Sequence, residues 1–154
     1  MHAMDYDFTR AGSYPRSGRE TLGGVVFLPR TIDKMRAHLA GTAGEYNATG
    51  GLSSRLFNLY GVSAEDFSEA VRQSPGDEGV LRWLQEHGTK QPSADEITQY
   101  NEGVLGAGPQ NDEGRARFRA NLERLGFGDR TDVTTHVDAE DLEEGRDVPH
   151  RDAA

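Results

Sequence analysis

Leu28, Ile32, Met35 and Leu39 return at the spacing of a helix and stop at Gly41. That pattern, repeated along the chain, constrains the fold more than any other feature, because apolar residues three and four apart put one helical face inward. Pro29 suits the first turn of the first helix, where a missing N–H costs nothing, and Gly41 suits its left-handed cap. Leu52, Leu56, Leu59 and Tyr60 predict a second helix ended by Gly61. Ser63 and Asp66 have the spacing of a capping box for a third, with Val62 and Phe67 as its hydrophobic staple. Asp77 is expected to cap a fourth helix carrying Val80, Leu81 and Leu84, with Trp83 beside them. Ser93 and Glu96 open a fifth, carrying Ile97, Tyr100 and Val104. A sixth starts at Asn111 or Asp112 and carries Phe118, Leu122 and Leu125, with Gly126 and Phe127 as a Schellman end.

The one continuous apolar stretch, "GVVFL" at 24–28, has no second strand-like run to pair with. It reads as a buried extended lead-in to the first helix. The expected class is therefore all-α, a single compact domain of about six helices. A short extended N-terminal arm (1–23) precedes the helical body (24–128), and an acidic segment (129–154) follows it. That segment holds nine acids against three bases. By composition alone it would be disordered.

Net charge −9 argues against a nucleic-acid partner and against an anionic membrane surface. The chain has no cysteine, which removes disulfides and thiol chemistry. Val25 to Leu28 is far too short to span a bilayer, so a cytoplasmic, soluble protein is expected. Only Lys34 and Lys90 are lysines; the other basic residues are arginines.

On a helical wheel Arg30, Asp33, Lys34 and Ala37 lie opposite the apolar side of the first helix, with Arg36 and His38 at the flanks. One reading is a solvated face with Arg30–Asp33 and Asp33–Arg36 pairs at i,i+3, each worth roughly a few tenths of a kcal/mol. The other is a cleft lined by these charges. Glu45 and Tyr46 follow directly in a glycine-rich loop. The glycine spacing matches neither a P-loop nor a dinucleotide fingerprint, and no serine elbow occurs. His136, Asp138, Glu140, Asp141, Glu143 and Glu144 could suit a hard cation but lack the spacing of a calcium loop. No metal site and no cofactor are expected.

"YPRSGRETLGGVVFLPRTIDKMRAHLAGTAGEY" resembles the hallmark of a bacterial family of domains of unknown function, numbered 5069. The family pattern P-R-S-x-R-x-x-L-G-G falls on Pro15 to Gly24, L-P-R-x-I-D-K-x-R-A on Leu28 to Ala37, and G-x-x-G-E-Y on Gly41 to Tyr46. Where the family often reads Asn-Cys-Pro-Leu-Asp, this chain has Thr49-Gly50-Gly51-Leu52-Ser53. "DRTDVTTHVDAEDLEEGRD" is similar to the closing block, which commonly carries an aromatic pair at the positions of His136 and Val137. The resemblance brings no activity, but it implies that 129–144 is ordered against the body, with the remainder flexible.

Together these readings point to a small soluble binding or interaction module. Its ligand candidates are Arg30, Asp33, Lys34, Arg36, Glu45 and Tyr46, and its ligand is a small anionic molecule or the chain's own acidic segment. The alternative is an enzyme on a small polar or phosphorylated substrate. Asp33 or Glu45 would then be the base, Tyr46 or His38 the acid, and the arginines an anion clamp. A third possibility is a subunit interface at Trp83 or Tyr60.

Overall fold

The computed structural model describes residues 6–151, so the first five residues of the expected arm and the last three of the acidic segment lie outside it. The described chain is mostly helical, with a two-stranded sheet ahead of seven helices. It divides into two compact units, Met1–Val104 and Leu105–Ala154.

The first unit opens with β1 (Thr21–Leu22) and β2 (Val25–Val26), paired antiparallel with Thr21 opposite Val26 and Leu22 opposite Val25. Val25 and Val26 thus have a partner that the sequence does not announce. Two residues per strand are too few for any alternation to show. Gly23 and Gly24 make the turn with φ of 60° and 78°, the paired positive values of a tight hairpin. The next helix but four along the chain seals this hairpin: the Asn101 carboxamide accepts from the Val26 N–H at 3.0 Å and donates to the Gly24 carbonyl at 2.8 Å. The Tyr100 hydroxyl donates to the Val26 carbonyl at 2.9 Å.

Helix α1 (Leu28–Ala40) follows, then α2 (Leu52–Tyr60), α3 (Ala64–Gln73), α4 (Asp77–His87) and α5 (Ala94–Leu105). The expected punctuation is present at most ends. Gly41 and Gly61 take left-handed φ of 74° and 63°. Ser63 and Asp66 form the reciprocal capping box of α3, and Ser93 and Glu96 form that of α5. The cap of α4 is different: Gly76, not Asp77, occupies it. The Asp77 carboxylate is drawn away to an arginine. Leu28, Ile32 and Met35 of α1 join Leu56, Phe57, Tyr60, Phe67, Val80 and Leu84 in one apolar core. Tyr60 belongs to that core and is buried, and Trp83 packs against it, so Tyr60 offers nothing to an outside surface.

The second unit is built on α6 (Asp112–Arg124) and α7 (His136–Glu143). Asn111 caps α6 by accepting from the Gly114 N–H at 2.7 Å. Phe127 and Gly126 donate back to Leu122 and Glu123 at its end, the Schellman pattern read from the sequence. Helix α7, capped by Thr135, lies inside the segment that composition alone would leave disordered. Its Leu142 packs with Leu122, Val133 and Val148 in a small core. The ring of His136 stands edge-on to Phe118 at 6.0 Å.

Candidate functional site

The charged side of α1 is not solvated. Arg30, Asp33 and Lys34 are 1%, 1% and 7% exposed. The i,i+3 pairs of a wet helix face are replaced by partners far away in sequence. Burying a charge without such partners is costly, so they control the geometry.

Arg16, in the segment before β1, is the hub. Its backbone N–H and Nε both donate to Asp33 Oδ2, at 2.8 and 3.0 Å, and its Nη2 donates to Asp33 Oδ1 at 3.0 Å. The other edge of the guanidinium reaches Asp77 on α4, at 2.7 Å from Nη1 and 3.1 Å from Nη2. One planar fork therefore ties the N-terminal arm to two helices, a geometry a lysine could not reproduce. Burial works against the charged guanidinium, but the bonds and charges of Asp77 and Asp33 outweigh it and raise the Arg16 pKa. The Arg16 hydrogen bonds, with help from its charge, hold the Asp77 carboxyl below the usual range against partial burial.

Arg30 and Lys34, one turn apart, meet aromatic rings. The Arg30 guanidinium carbon is 5.5 Å from the Tyr46 ring centroid and 6.0 Å from that of Phe27, and Lys34 Nζ is 5.2 Å from Phe27. Both are within the range of cation–π attraction. Arg30 Nη1 also donates to the Arg16 carbonyl at 3.1 Å. Tyr46 is held edge-on by Phe8 at 5.5 Å. Phe27 is the only non-glycine residue among those described with positive φ, at 69°. A bulky side chain there is strained by about 1–2 kcal/mol. The conformation is fixed by its N–H on the Gly18 carbonyl and by Thr31, whose N–H and hydroxyl both donate to the Phe27 carbonyl.

Arg36 goes elsewhere. Its Nη2 donates to the Ser74 carbonyl at 2.9 Å and its Nη1 to Val71 at 3.4 Å, at the C-terminal end of α3 where positive charge is favoured. It also lies 5.9 Å from the ring of Tyr6. Burial, with the nearby Asp33 charge, raises the Tyr6 hydroxyl above its ordinary pKa. Glu45 is exposed.

Of the six sequence candidates, the structure brings Arg30, Lys34 and Tyr46 together around Phe27. Asp33 is in a separate ion network, Arg36 at a helix end, and Glu45 at the surface. Arg16, Phe27 and Asp77 are the residues that reading by wheel and loop did not single out. Only the P-R-S motif of the resemblance marked Arg16.

An open cleft of about 540 Å³ lies against α1 and α3, lined in part by His38, Glu65, Asp66, Glu69 and Arg72. Two of its three carboxylates have work already: Asp66 caps α3, and Glu69 accepts from Gln73 at 2.8 Å and Arg72 at 3.4 Å.

These features define a class: a small helical domain whose first helix carries a buried layer of cations, aromatic rings and an arginine–aspartate network. The chain belongs to the family described as Domain of unknown function (DUF5069), whose model matches residues 12–146. No match is found among curated proteins.

Proposed function

We propose that the protein is a small binding module for an anionic ligand, held by Arg30 and Lys34 with Tyr46 and Phe27 as its walls. The observation that carries this reading is the pairing of two cations one helical turn apart with two aromatic rings at 5.2–6.0 Å. Cations in a low-dielectric setting attract an anion more strongly than surface cations do. The strained Phe27 backbone supports the reading, since strain of this kind gathers at ligand sites. The −9 chain carries few places where positive charge is concentrated, which makes this pair selective for its ligand's sign. Asp33 contributes by fixing Arg16, whose carbonyl orients Arg30. Arg36 and Glu45 stay outside the contact set of this reading.

The enzyme alternative asks Asp33 or Glu45 to be the base; Arg16 engages both Asp33 oxygens, and Glu45 is exposed at the surface. The binding reading is therefore preferred.

The test is a thermal-shift and calorimetric titration with orthophosphate on the wild type and on Lys34→Gln and Arg30→Gln. A ligand bound only by the folded state raises Tm by mass action. The expected result is a saturable shift in the wild type that is lost in both variants while circular dichroism shows them folded. A shift of equal size in the folded variants overturns the site.

A further inference from the structure

The second unit contains a cleft of about 280 Å³ that the reading above does not use, lined by Pro109, Arg115, Phe118, Arg119, Thr131 and Thr134. It is near the lower end of ordinary small-molecule sites and ample for a single substituted ring. We propose that it binds a small aromatic carboxylate, with the ring between Pro109 and Phe118 and the carboxylate on Arg115.

The two arginines have different roles. The Arg119 guanidinium is already fixed: Nη1 donates to the Arg130 carbonyl at 3.1 Å and Nη2 to the Val133 carbonyl. Its carbon stands 5.1 Å from the Phe118 ring centroid. It supplies an immobile positive charge beside an aromatic wall, without lending its fork to the ligand. Arg115 is available. Among the described residues its guanidinium makes one hydrogen bond, to Asp112 at 2.7 Å, and both side chains of that pair are more than half exposed. Such surface pairs contribute little, so exchanging Asp112 for a ligand carboxylate costs little. The fork geometry of arginine matches that carboxylate bidentately.

The threonines complete the specificity. The hydroxyls of Thr131 and Thr134 make no hydrogen bond with the described residues, and both residues line the cleft. The backbone that presents Thr134 is pinned on both sides: Arg119 bonds the Val133 carbonyl, and the His136 N–H donates to the Ala107 carbonyl at 2.9 Å. Gly108 is part of this fit, because a Cβ there would fall 2.4 Å from the Thr134 carbonyl oxygen. The hydroxyls stand ready to meet a ring substituent or the second carboxylate oxygen, and they discriminate against purely apolar ligands. The edge-on contact of His136 with Phe118 keeps the aromatic wall in place.

The experiment is a titration of the isotope-labelled full chain with sodium benzoate, followed by amide chemical shifts. Benzyl alcohol is the neutral control, and Arg115→Gln, Thr134→Val and Lys34→Gln are the variants. The expected result is saturable shifts at Phe118, Thr131 and Thr134 at millimolar benzoate or below. Affinity should fall about tenfold in Arg115→Gln, as for the loss of a charged hydrogen bond, and a few-fold in Thr134→Val. Lys34→Gln should leave these shifts unchanged, which separates this cleft from the site on α1. Arg115 is exposed and caps nothing, so its variant folds. Benzyl alcohol binding as tightly as benzoate, shifts mapping away from the cleft, or undiminished affinity in Arg115→Gln would each overturn the proposal.

Discussion

The two units use charge in opposite ways. In the first, the ionic layer is on helices: Asp33 of α1 and Asp77 of α4 share Arg16, while Arg30 and Lys34 lie against rings. A large apolar core runs along the other side of α1 and bears the cost of burying those charges. In the second, the apolar core is small, built on Leu122, Val133, Leu142 and Val148. There many of the arginine bonds go to loops, and others go to α7. Arg119 bonds two loop carbonyls, Arg130 pairs with Asp132 and reaches the Val148 and Pro149 carbonyls, and Arg151 pairs with Asp138. The difference teaches that a chain poor in apolar residues can order an acidic segment by bridging it with planar, always-charged forks. It also explains why the segment that composition marks as disordered holds a helix: arginines, Arg146 on Asp141 and Glu144 among them, and a small apolar core define it locally.

The comparison can be broken at its strongest point first. Arg16→Met leaves the buried Asp33 carboxylate without its cation, with the backbone N–H of residue 16 still donating to it, and should destabilise the protein by about 3 kcal/mol in urea denaturation. Adding Asp33→Leu should recover part of that loss; no recovery would mean that Arg16 acts through packing rather than charge. Leu122→Ala in the second unit should cost about 3 kcal/mol through the cavity it leaves. Hydrogen exchange should then show lost protection in α7 while α1 keeps its own. Equal loss in both helices would show that the two cores melt as one. Ser63→Ala removes one half of the α3 capping box and should cost about 1 kcal/mol, leaving exchange in the second unit unchanged.

The smallest expected effect is on acid stability. Asp77 has a depressed pKa in the folded state, so its contribution is present above the unfolded value of about 3.9 and is lost as pH falls through the folded one. Asp77→Asn should therefore flatten the fall of stability below about pH 4, measured as Tm against pH. An unchanged slope there would place the acid sensitivity in the other carboxylates.

How much was legible in the sequence varies with the range of the interaction. Ser63 with Asp66, Ser93 with Glu96, Gly41, Gly61 and the Gly126–Phe127 end could all be read, because each is set by residues within one turn. The hairpin could not, since two-residue strands carry no period and their register depends on Asn101 and Tyr100 far along the chain. Asp77 looked like a cap because caps are read locally, while its partner is 61 residues away. For the candidate site, the wheel separated the charged from the apolar side of α1 correctly. It could not say what covers the charged side.

The sequence by itself determined the first six helices, most of their ends and the family, but not α7. Those follow from periodicity, capping chemistry and motif, all of which act between neighbours. Only the tertiary structure decided that Arg30, Asp33 and Lys34 are interior, that Arg16 binds both aspartates, and that Arg36 and Glu45 part from the others. A charge enters a protein interior only where distant groups compensate it, and those groups are brought to it by the fold.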